Sequence, residues 1–543
     1  MSTTNTNERF ERYRAQGWWP GERLEARYRN VVRQRPASLA VADTAGRELT
    51  HAELWHRAGE LADLLASAGI ASGDVVLLYL PNRVEWQIAV LAVLRLQALP
   101  ASIPDKTEAK TLVYAAGLVG CKLLLTSACD RGPVLLEAAA AAADELADGL
   151  NVLCVAADAQ HYWLSRAAGE RPPSDSALEL DHLMFTSSTT GLPKAVMHTA
   201  DTLAALNILF AQRFSLDAEQ PIFMCSPLGH SVGSIHGARL ALYTGAPLIL
   251  QETWDPSIAL QLIERYRCAF TAAATPFLKD LIDEQSASKA SHRASLGTFL
   301  CGGAPVPPAL LEHAWQAFPD TFFTNLWGMT EGGVVTCVPD SPRDKLIETA
   351  GIGLPGLELR ILAEDGTVLD YGHEGELAMR GPGVFVGYYG QHALYESLLT
   401  PDSFFRSGDL ARLDADGYVR ITGRIKDLII RGGVNISPLP AEDVLSTHPH
   451  LESVAIVGFP DERLGERICA VVVPKHGRPS LDELIAYASR EGLPKRQLPE
   501  VVRYIESMPR TAAGKIRKSD LVALIDRAGP DRLDLGIIDA DQE

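Results

Sequence analysis

The amino-acid sequence predicts an α/β protein in which a large N-terminal domain of α/β sheets, ending in a β subdomain, precedes a small α+β C-terminal domain. Up to about residue 356, helical segments alternate with short apolar segments, as in parallel sheets covered by helices. From there "ELRILAEDGTVLDYGHEGELAMRG" shows short alternating segments with Asp-Gly and Gly-His turns, which indicate antiparallel strands. At "GRIKDLIIRGGVNISP" the pattern changes again, and mixed helix and strand follow.

The first long helix is predicted in "ELTHAELWHRAGELADLLASAGI", where Thr50 is a capping candidate. Its apolar residues recur at helical spacing, at Leu54, Ala58, Leu61, Leu64 and Leu65. "GDVVLLYLPN" then predicts a buried strand that Pro81 ends, "VEWQIAVLAVLRLQ" a helix and "CKLLLT" a strand. The alanine-rich "VLLEAAAAAADELADGL" predicts a surface helix, and strands are expected in "NVLCVA", "PLILQ", "FTAAA" and "GTFLCGG".

These changes of pattern divide the chain into four parts. Residues 1–34 are an N-terminal extension whose polar start is expected to be disordered, and residues 35–425 are the large domain. Residues 426–528 are the small domain, and residues 529–543 are a polar, acidic tail.

Composition excludes several classes of protein. The chain has 543 residues and a formal net charge of −18, which argues against nucleic-acid binding because that requires Lys and Arg to neutralise phosphates. Eight cysteines without a CxxC pair or a metal-ligand spacing indicate reduced, buried thiols. The polar start lacks a secretory signal, and the longest apolar runs are shorter than the roughly 20 residues that cross a bilayer. We therefore expect a soluble, cytoplasmic protein without a membrane span, and the sequence leaves a homo-oligomer open.

The most informative segment is "MFTSSTTGLPKAVMHT", residues 184–199, which holds five consecutive hydroxyl residues. It follows an apolar strand candidate, and ligand-holding loops of α/β sheets lie at such strand ends. The phosphate-binding motif GxxxxGK[ST] is rejected, because Leu192 and Pro193 separate Gly191 from Lys194 and Ala195 follows. Taken alone, the segment fits an ordinary surface loop of turn residues equally well.

Further along the chain stand "PLGHSVG", "CGGAP", "NLWGMTEGG", "FRSGDL", "GRIKDLIIRGGVNISP" and "PRTAAGKIRK". In this order and spacing they resemble the core motifs of the adenylate-forming superfamily, over about residues 35–525. The resemblance implies that ATP converts a small-molecule carboxylic acid to an enzyme-bound acyl-adenylate, with release of pyrophosphate, before the acyl group passes to a thiol such as CoA. It also implies Mg²⁺ and a mobile C-terminal domain that rotates about Lys426 between the two steps. Both steps build negative charge, so fixed donors, a lysine and a metal are the expected tools.

The resemblance also implies roles for single residues. The ATP phosphates are expected on Thr186, Ser187, Ser188, Thr189, Thr190, Gly191 and Lys194. Thr330 is expected to contact phosphate, Glu331 to bind Mg²⁺, and His230 to open and close the acyl pocket. The walls around adenine and the acyl group are expected at Gly302, Gly303, Ala304, Gly328 and Trp327, a tryptophan where the family usually has tyrosine.

Four further roles follow from the motifs near the domain boundary and the C-terminus. Asp409 is expected to accept both ribose hydroxyls, with Arg424 near the same ribose. Lys515 is expected to be the catalytic lysine of adenylation, which reaches the acid and the α-phosphate in only one orientation of the small domain. In the other orientation, Gly432 and Gly433 are expected to line the pantetheine tunnel, where small residues allow close backbone approach.

The sequence departs from the family pattern T-S-G-T-T-G-x-P-K-G at Ser188 and Ala195. One interpretation is tolerated variation, and the other is impaired adenylation, with thioester formation on an acyl-adenylate made elsewhere. Ser231 stands where aryl-acid-activating relatives carry asparagine, which argues against a hydroxybenzoate substrate.

The sequence therefore predicts an acid–thiol ligase, an acyl-CoA synthetase. Because the segments expected around the acyl group mix small and apolar residues, we expect a bulky or cyclic acid. Two alternatives stay open: an adenylating enzyme that loads a separate carrier protein, and a non-catalytic binder of acyl groups or nucleotides.

Overall fold

The computed structural model describes residues 3–127, 132–145, 151–155, 161–165, 179–186, 192–287, 296–303, 306–511 and 514–528. Over these residues the strands are β1 Leu39–Asp43, β2 Glu48–Thr50, β3 Val75–Leu78, β4 Leu99–Ser102, β5 Leu123–Ser127, β6 Asn151–Val155, β7 Tyr162–Ser165, β8 Leu180–Phe185, β9 Ala195–Thr199, β10 Ile222–Met224, β11 Leu248–Leu250, β12 Phe270–Ala273, β13 Thr298–Gly302, β14 Phe322–Met329, β15 Gly332–Thr336, β16 Gly351–Gly353, β17 Glu358–Leu362, β18 Glu374–Arg380, β19 Gly387–Tyr388, β20 Phe405–Leu413, β21 Tyr418–Arg424, β22 Ile429–Arg431, β23 Val434–Ile436, β24 Leu451–Asp461, β25 Gly465–Pro474 and β26 Val501–Tyr504.

The α-helices of the same residues are α1 Thr3–Ala15, α2 Leu24–Gln34, α3 His51–Ser67, α4 Val84–Arg95, α5 Ala109–Leu118, α6 Gly132–Glu145, α7 Ala200–Arg213, α8 Ser231–Gly233, α9 Leu240–Thr244, α10 Pro256–Tyr266, α11 Thr275–Ala287, α12 Pro308–Ala317, α13 Arg343–Glu348, α14 His392–Ser397, α15 Leu439–Leu445, α16 Leu481–Arg490 and α17 Lys518–Ala528. A π-helical turn, Ser234–Arg239, joins α8 to α9, and 3-10 turns cover Ile425–Asp427 and Lys495–Gln497.

The largest sheet changes from parallel to antiparallel along its width. Among the described residues its order is β17-β18-β20-β21-β16-β15-β14-β13-β12-β10-β11-β1-β2. The strands from β14 to β1 pair in parallel, whereas those from β14 to β17 pair antiparallel. The segment predicted as a β subdomain therefore continues the large sheet, and it brings strand β20 to the same sheet as β14.

A second sheet has the order β19-β9-β8-β4-β3-β5-β6-β7, with parallel strands in its centre. Helix α4 lies between the two sheets, since it contacts β1 on one side and β3 and β4 on the other. All of its residues from Val84 to Leu94 are buried, as expected for a helix that is apolar all round. In the described part of the chain, no helix combines the length and apolarity that crossing a bilayer requires.

A third, smaller sheet begins after the turn that contains Lys426. Its order is β23-β22-β25-β24, and β26 pairs in parallel with β25. Helices α15 and α17 contact β24. The predicted α/β fold, with a large N-terminal part and a smaller α+β C-terminal part, is confirmed.

Helix α3 begins where the sequence predicts. The Thr50 side chain accepts a hydrogen bond from the Glu53 N–H, and the Glu53 carboxylate accepts one from the Thr50 N–H, which forms a capping box. The predicted core face of this helix is confirmed at Leu54, Ala58, Leu61 and Leu65, whereas Leu64 is only half-buried. Local capping chemistry and apolar spacing agree here, so the helix is readable from the sequence.

The prediction of a disordered start is wrong for the described residues of the extension. Helices α1 and α2 cover most of it, and the rings of Tyr13, Trp18 and Trp19 pack together with centroids 5.2 and 6.1 Å apart. The Trp19 indole donates a hydrogen bond to the carbonyl of Pro382 at 2.9 Å. The extension is polar because it lies on the surface, but its aromatic side chains dock on the large domain.

Candidate active site

The hydroxyl-rich loop joins β8 to β9, and the structure describes only its two ends. The Thr186 N–H donates to the Lys194 carbonyl at 3.0 Å, and the Lys194 N–H donates to Thr186 Oγ1 at 3.1 Å. The phosphate-binding candidates between them, Ser187, Ser188, Thr189, Thr190 and Gly191, lie outside the described residues, as does Ala304. Two hydrogen bonds therefore join the two ends of the loop and fix the position of the Lys194 backbone.

Ala195, one of the two departures from the family pattern, lies in strand β9. It pairs with Phe185 of β8, is fully buried, and is not among the non-glycine residues with positive φ. Its Cβ belongs to an apolar cluster with Leu183 and Phe185. This position therefore carries no backbone strain that a glycine would relieve.

Lys194, Tyr388 and Glu331 form a chain of contacts beside the loop. The Tyr388 hydroxyl donates to Glu331 Oε1 at 2.6 Å, and Lys194 Nζ donates to the same hydroxyl at 3.3 Å. Lys194 Nζ also lies 4.4 Å from the centroid of the Tyr388 ring. Burial, and after it the negative charge of Glu331, raises the pKa of Tyr388, so its hydroxyl stays protonated and keeps donating.

Tyr388 is a site residue that sequence reasoning missed. It lies in β19, a strand of two residues whose Gly387 pairs with Met197 and whose Tyr388 pairs with Val196 of β9. A two-residue strand has no periodicity that a sequence pattern could show. The available signal was an aromatic residue in "VGYYG", which is also typical of an ordinary turn.

Thr330 and Glu331 form the turn between β14 and β15, and neighbours hold this turn from both sides. His198 Nε2 donates to the Thr330 carbonyl at 2.8 Å, and the Phe385 N–H donates to the Glu331 carbonyl at 2.9 Å. The Thr330 hydroxyl lies 3.4 Å from Ser231 Oγ. The next residue, Gly332, has φ +92°, and a Cβ there would collide with the Gly383 carbonyl, so only glycine fits.

The Glu331 carboxylate suits one Mg²⁺ ion. Tyr388 occupies Oε1, whereas among the described residues no group donates to Oε2. Mg²⁺ prefers oxygen ligands and is usually bound by one or two carboxylates together with substrate phosphates. A single buried carboxylate, connected through Tyr388 to Lys194, matches that preference.

Asp409 lies in β20 of the same sheet, and two side chains hold its carboxylate. The Trp327 indole Nε1 donates to Asp409 Oδ2 at 2.8 Å, and Arg424 Nε donates to Oδ1 at 2.9 Å. Arg424 lies directly opposite on β21, and the Asp409 N–H donates to Ser407 Oγ at 3.1 Å. The structure therefore brings Trp327, Asp409 and Arg424 together, and the carboxylate is oriented and buried.

Lys515 reaches this site from the small part of the chain. Its turn is closed by a hydrogen bond from the Thr511 N–H to the Lys515 carbonyl at 2.8 Å. A Cβ on Gly303, which has φ +87°, would lie 3.3 Å from Lys515 Cε. Burial and the cation of Arg424 lower the pKa of Lys515 to about 8, although the carboxylates of Asp409 and Glu331 oppose that shift. The ammonium thus lies close to the groups expected around the nucleotide.

His230 lines the same small cavity as Lys515. It precedes α8, and its Nδ1 accepts a hydrogen bond from the Val232 N–H at 3.4 Å. Burial and the charge of Lys515 lower its pKa to about 3, so the imidazole is neutral at ordinary pH. A neutral, buried imidazole is suited to packing against an acyl group.

This cavity measures about 20 Å³. Besides the lysine and the histidine, mostly small or apolar residues line it: Ser226, His230, Val232, Ala273, Ala274, Gly302, Gly303, Leu326 and Lys515. Gly302 permits this approach, since a Cβ there would lie 2.8 Å from the Leu326 carbonyl. Gly328 is similar, with the Gly333 carbonyl 3.2 Å from the position of such a Cβ.

The predicted pantetheine residues lie apart from this cavity. Gly432 and Gly433, with φ of +59° and +80°, form the exposed turn between β22 and β23. The flanking side chains of Ile430 and Val434 are 55% and 53% exposed. The structure therefore brings Lys515 to the nucleotide groups and leaves the glycine turn facing outwards.

Comparisons with known proteins agree with these features. The family model of the AMP-binding enzyme matches residues 28–389, and that of the AMP-binding enzyme C-terminal domain matches residues 441–515. Over 529 residues the chain is 33% identical to the medium-chain fatty-acid–CoA ligase of Escherichia coli (strain K12), covering 95% of this chain and 93% of the relative. Over 534 residues it is 32% identical to the salicyl-AMP ligase / salicyl-S-ArCP synthetase of Mycobacterium tuberculosis, with the same two coverages.

Among solved structures, it is similar to o-succinylbenzoate CoA synthetase (MenE) from Bacillus subtilis in complex with the acyl-adenylate intermediate OSB-AMP. The TM-score is 0.77 at 25% identity, over 91% of this chain and 97% of that chain. Family matches across both parts of the chain and relatives above 30% identity decide the assignment. The chain therefore belongs to the adenylate-forming superfamily of AMP-binding enzymes and is an acyl-CoA synthetase of its acid–CoA ligase branch.

Proposed function

We propose that this enzyme converts a carboxylic acid, ATP and CoA to acyl-CoA, AMP and pyrophosphate through an acyl-adenylate. The observation that supports the proposal most is the position of Lys515. Its side chain lies against Gly303 and close to the charges of Asp409, Arg424 and Glu331, although it belongs to a different part of the chain. A non-catalytic binder of acyl groups or nucleotides would not need a lysine from another part of the chain at this position.

In this proposal the large domain holds the nucleotide. Asp409 accepts hydrogen bonds from the ribose hydroxyls. Lys194 and the loop that follows Thr186 along the chain bind the β- and γ-phosphates. Glu331 holds Mg²⁺, which when bound neutralises phosphate charge. Hydrogen bonds hold Asp409, Glu331 and Lys194 in place, so these three groups need little reorganisation when charge develops.

Lys515 then acts on the reacting atoms. Its ammonium, a point charge on a flexible stem, contacts the acid carboxylate and the α-phosphate. The carboxylate oxygen attacks the α-phosphorus, and the bond to pyrophosphate breaks. Rotation about Lys426 afterwards brings Gly432 and Gly433 to the site, where the thiolate of CoA attacks the acyl carbon and AMP leaves.

For the acid, we propose an uncharged acyl body that is bulky or cyclic. Apart from Lys515, His230 and Ser226, the cavity is lined by small or apolar residues, which favours an apolar acyl body. At about 20 Å³ the cavity must widen to admit such a body, so its lining supports the apolarity of the acid and not its size. The relatives include a ligase named for medium-chain fatty acids and one named for salicylate. Ser231, which stands where aryl-acid-activating relatives carry asparagine, argues against a hydroxybenzoate.

One relative supports a second candidate function. The Mycobacterium tuberculosis enzyme is named for salicyl-AMP formation and for salicyl-S-ArCP synthesis, which favours a carrier protein as the thiol acceptor. Thioester formation on a preformed acyl-adenylate has weaker support, because Ala195 lies unstrained in a strand and only Ser188 still motivates it.

The test is a panel of acids that includes medium-chain, cyclic and aryl members. Pyrophosphate release is followed with ATP and Mg²⁺, and CoA thioesters are identified by mass. Parallel reactions supply synthetic acyl-AMP with CoA, and ATP and acid with a phosphopantetheinylated carrier protein. Pyrophosphate release that matches CoA thioester formation supports the proposal. Thioester only from acyl-AMP, or only on the carrier, would replace it with one of the alternatives.

A further inference from the structure

The indole N–H of Trp327 is committed to the carboxylate of Asp409. Trp327 lies in β14 and Asp409 in β20, and three strands of the sheet separate them. The bond at 2.8 Å therefore bridges the parallel and antiparallel parts of the large sheet. The donor is an indole N–H, at a position where the family usually has tyrosine.

The indole ring cannot move away from Asp409 easily. Trp327 is 9% exposed and belongs to an apolar cluster with Val335 and Met379. Gly333 has φ +76°, and a Cβ there would lie 3.6 Å from the ring. Packing on both sides fixes the direction in which the N–H points.

The fixed indole donor determines which acceptor positions of the Asp409 carboxylate stay free. An ionised carboxylate accepts about four hydrogen bonds, two on each oxygen. Trp327 uses one position on Oδ2 and Arg424 uses one on Oδ1, so each oxygen keeps one position. Unlike a tyrosine hydroxyl, which rotates and can also accept, an indole N–H only donates, and it holds the plane of the carboxylate permanently.

We propose that Trp327 is a positioning residue that sets the selectivity of this site for the two vicinal hydroxyls of a ribonucleotide. It acts through Asp409, whose two free acceptor positions are held side by side to meet the 2′- and 3′-hydroxyls. The inference rests on the proposed function in one respect, the placing of the ribose at Asp409. A role in packing alone would stabilise the fold without affecting the choice between ribose and deoxyribose.

The test measures binding of AMP, 2′-deoxyAMP and 3′-deoxyAMP by calorimetry, which requires no turnover. The sharpest variant replaces Trp327 with β-(3-benzothienyl)alanine, an isostere of tryptophan in which sulfur stands at the N–H position, so the packing is retained. Trp327→Phe is the encodable version. Trp315→Phe is the matched control, because Trp315 is a partly buried tryptophan in another cluster.

We expect AMP to bind the isostere about tenfold to a hundredfold more weakly, as for the loss of a hydrogen bond to a charged group. The deoxynucleotides should lose less affinity, so the ratio of AMP to deoxyAMP affinity falls, whereas the control keeps it. In an Asp409→Asn background the isostere should change this ratio no further. An isostere that retains the wild-type ratio would overturn the proposal.

Failure of this inference and failure of the proposed function give different results. If the wild type forms no thioester from any acid but prefers AMP, and the isostere loses the preference, the ligase proposal fails and the inference stands. If thioester forms normally and the isostere keeps the preference, the inference alone fails.

Discussion

At the scale of single residues, Tyr388 connects the lysine of the phosphate loop to the carboxylate expected to hold Mg²⁺. Its hydroxyl donates to Glu331 at 2.6 Å and accepts from Lys194 at 3.3 Å, so it fixes both ends of one contact chain. Removing the hydroxyl leaves the Glu331 oxygen unpaired in a buried place, which favours rotation of the carboxylate.

We therefore expect Tyr388→Phe to raise the Mg²⁺ concentration needed for half-maximal pyrophosphate release by about tenfold, the cost of one charge-assisted hydrogen bond. Tyr389→Phe is the control, because the neighbouring tyrosine makes no such contact in the described structure. The measurement is a Mg²⁺ titration at saturating acid. Equal Mg²⁺ requirements in the two variants would contradict this role.

We expect the pH dependence of adenylation to come from Lys515. Burial and the cation of Arg424 lower its pKa from 10.5 to about 8, so the ammonium is present below pH 8 and is lost as pH rises through it. We expect kcat/KM for pyrophosphate release to fall about tenfold per pH unit above that point. ATP phosphates favour the ammonium, so kcat should fall at a higher pH than kcat/KM.

Lys515→Arg checks this assignment, because an arginine stays protonated throughout the range. Its residual activity should show no fall near pH 8, whatever its absolute rate. His230, with a pKa of about 3, should add no inflection between pH 5 and 8. A wild-type fall that persists unchanged in the arginine variant would assign it to another group.

Residue identities in the motifs were predictable, but their connections were not. Glu331, Asp409 and Lys515 stand in motifs whose spacing the sequence shows directly. The bonds from Tyr388 to Glu331 and from Trp327 to Asp409 join residues 57 and 82 positions apart in the chain. Only the order of strands in the folded sheets creates these contacts.

At the scale of elements, the N-terminal extension supports the turn that carries Glu331. Trp19 donates to the carbonyl of Pro382, and the segment that follows packs on this turn, with the Phe385 N–H bonded to the Glu331 carbonyl. The polar composition of residues 1–16 predicted disorder. The prediction failed because the surface on which the extension docks lies more than three hundred residues away along the chain.

We expect Trp19→Phe to lower the free energy of unfolding by about 1 kcal/mol, the net value of one hydrogen bond, with the ring packing retained. Because the lost bond anchors residues next to Glu331, the KM for ATP should rise by a few-fold as well. Thermal melts and ATP titrations measure the two effects. An unchanged KM alongside a lowered melting temperature would limit the extension to a role in stability.

Long helices and buried parallel strands were readable from the sequence, whereas short strands were not. Helix α3 and strands β3, β5 and β6 combine capping, apolar spacing and turn residues in one place. Strand β19 has two residues and exists because β9 offers it an edge. The β subdomain continues the large sheet because β16 pairs with β21, and the local sequence pattern does not encode this pairing.

At the scale of the whole molecule, the position of Lys515 predicts that the two half-reactions can be separated. Lys515→Ala should reduce pyrophosphate release by at least a hundredfold, because it removes the one cation that the small domain brings to the cavity in the described structure. Turnover of supplied acyl-AMP with CoA should change little, since in the proposed mechanism that step uses the glycine turn of residues 432 and 433 instead.

Lys495→Ala, a change at an exposed lysine of the same domain, is the control. Both half-reactions are measured separately, by pyrophosphate release and by thioester formation from acyl-AMP. Equal losses in the two assays for Lys515→Ala would refute a small domain that serves each step with a different face.

The groups around the nucleotide come from three different sheets. Glu331, Trp327 and Asp409 belong to the largest sheet or its turns, Lys194 and Tyr388 to the second, and Lys515 follows the last strand of the third. A nucleotide bound here would contact side chains from all three sheets at once, so its binding would hold the three together. We expect AMP to leave only after the small domain has rotated away from this site.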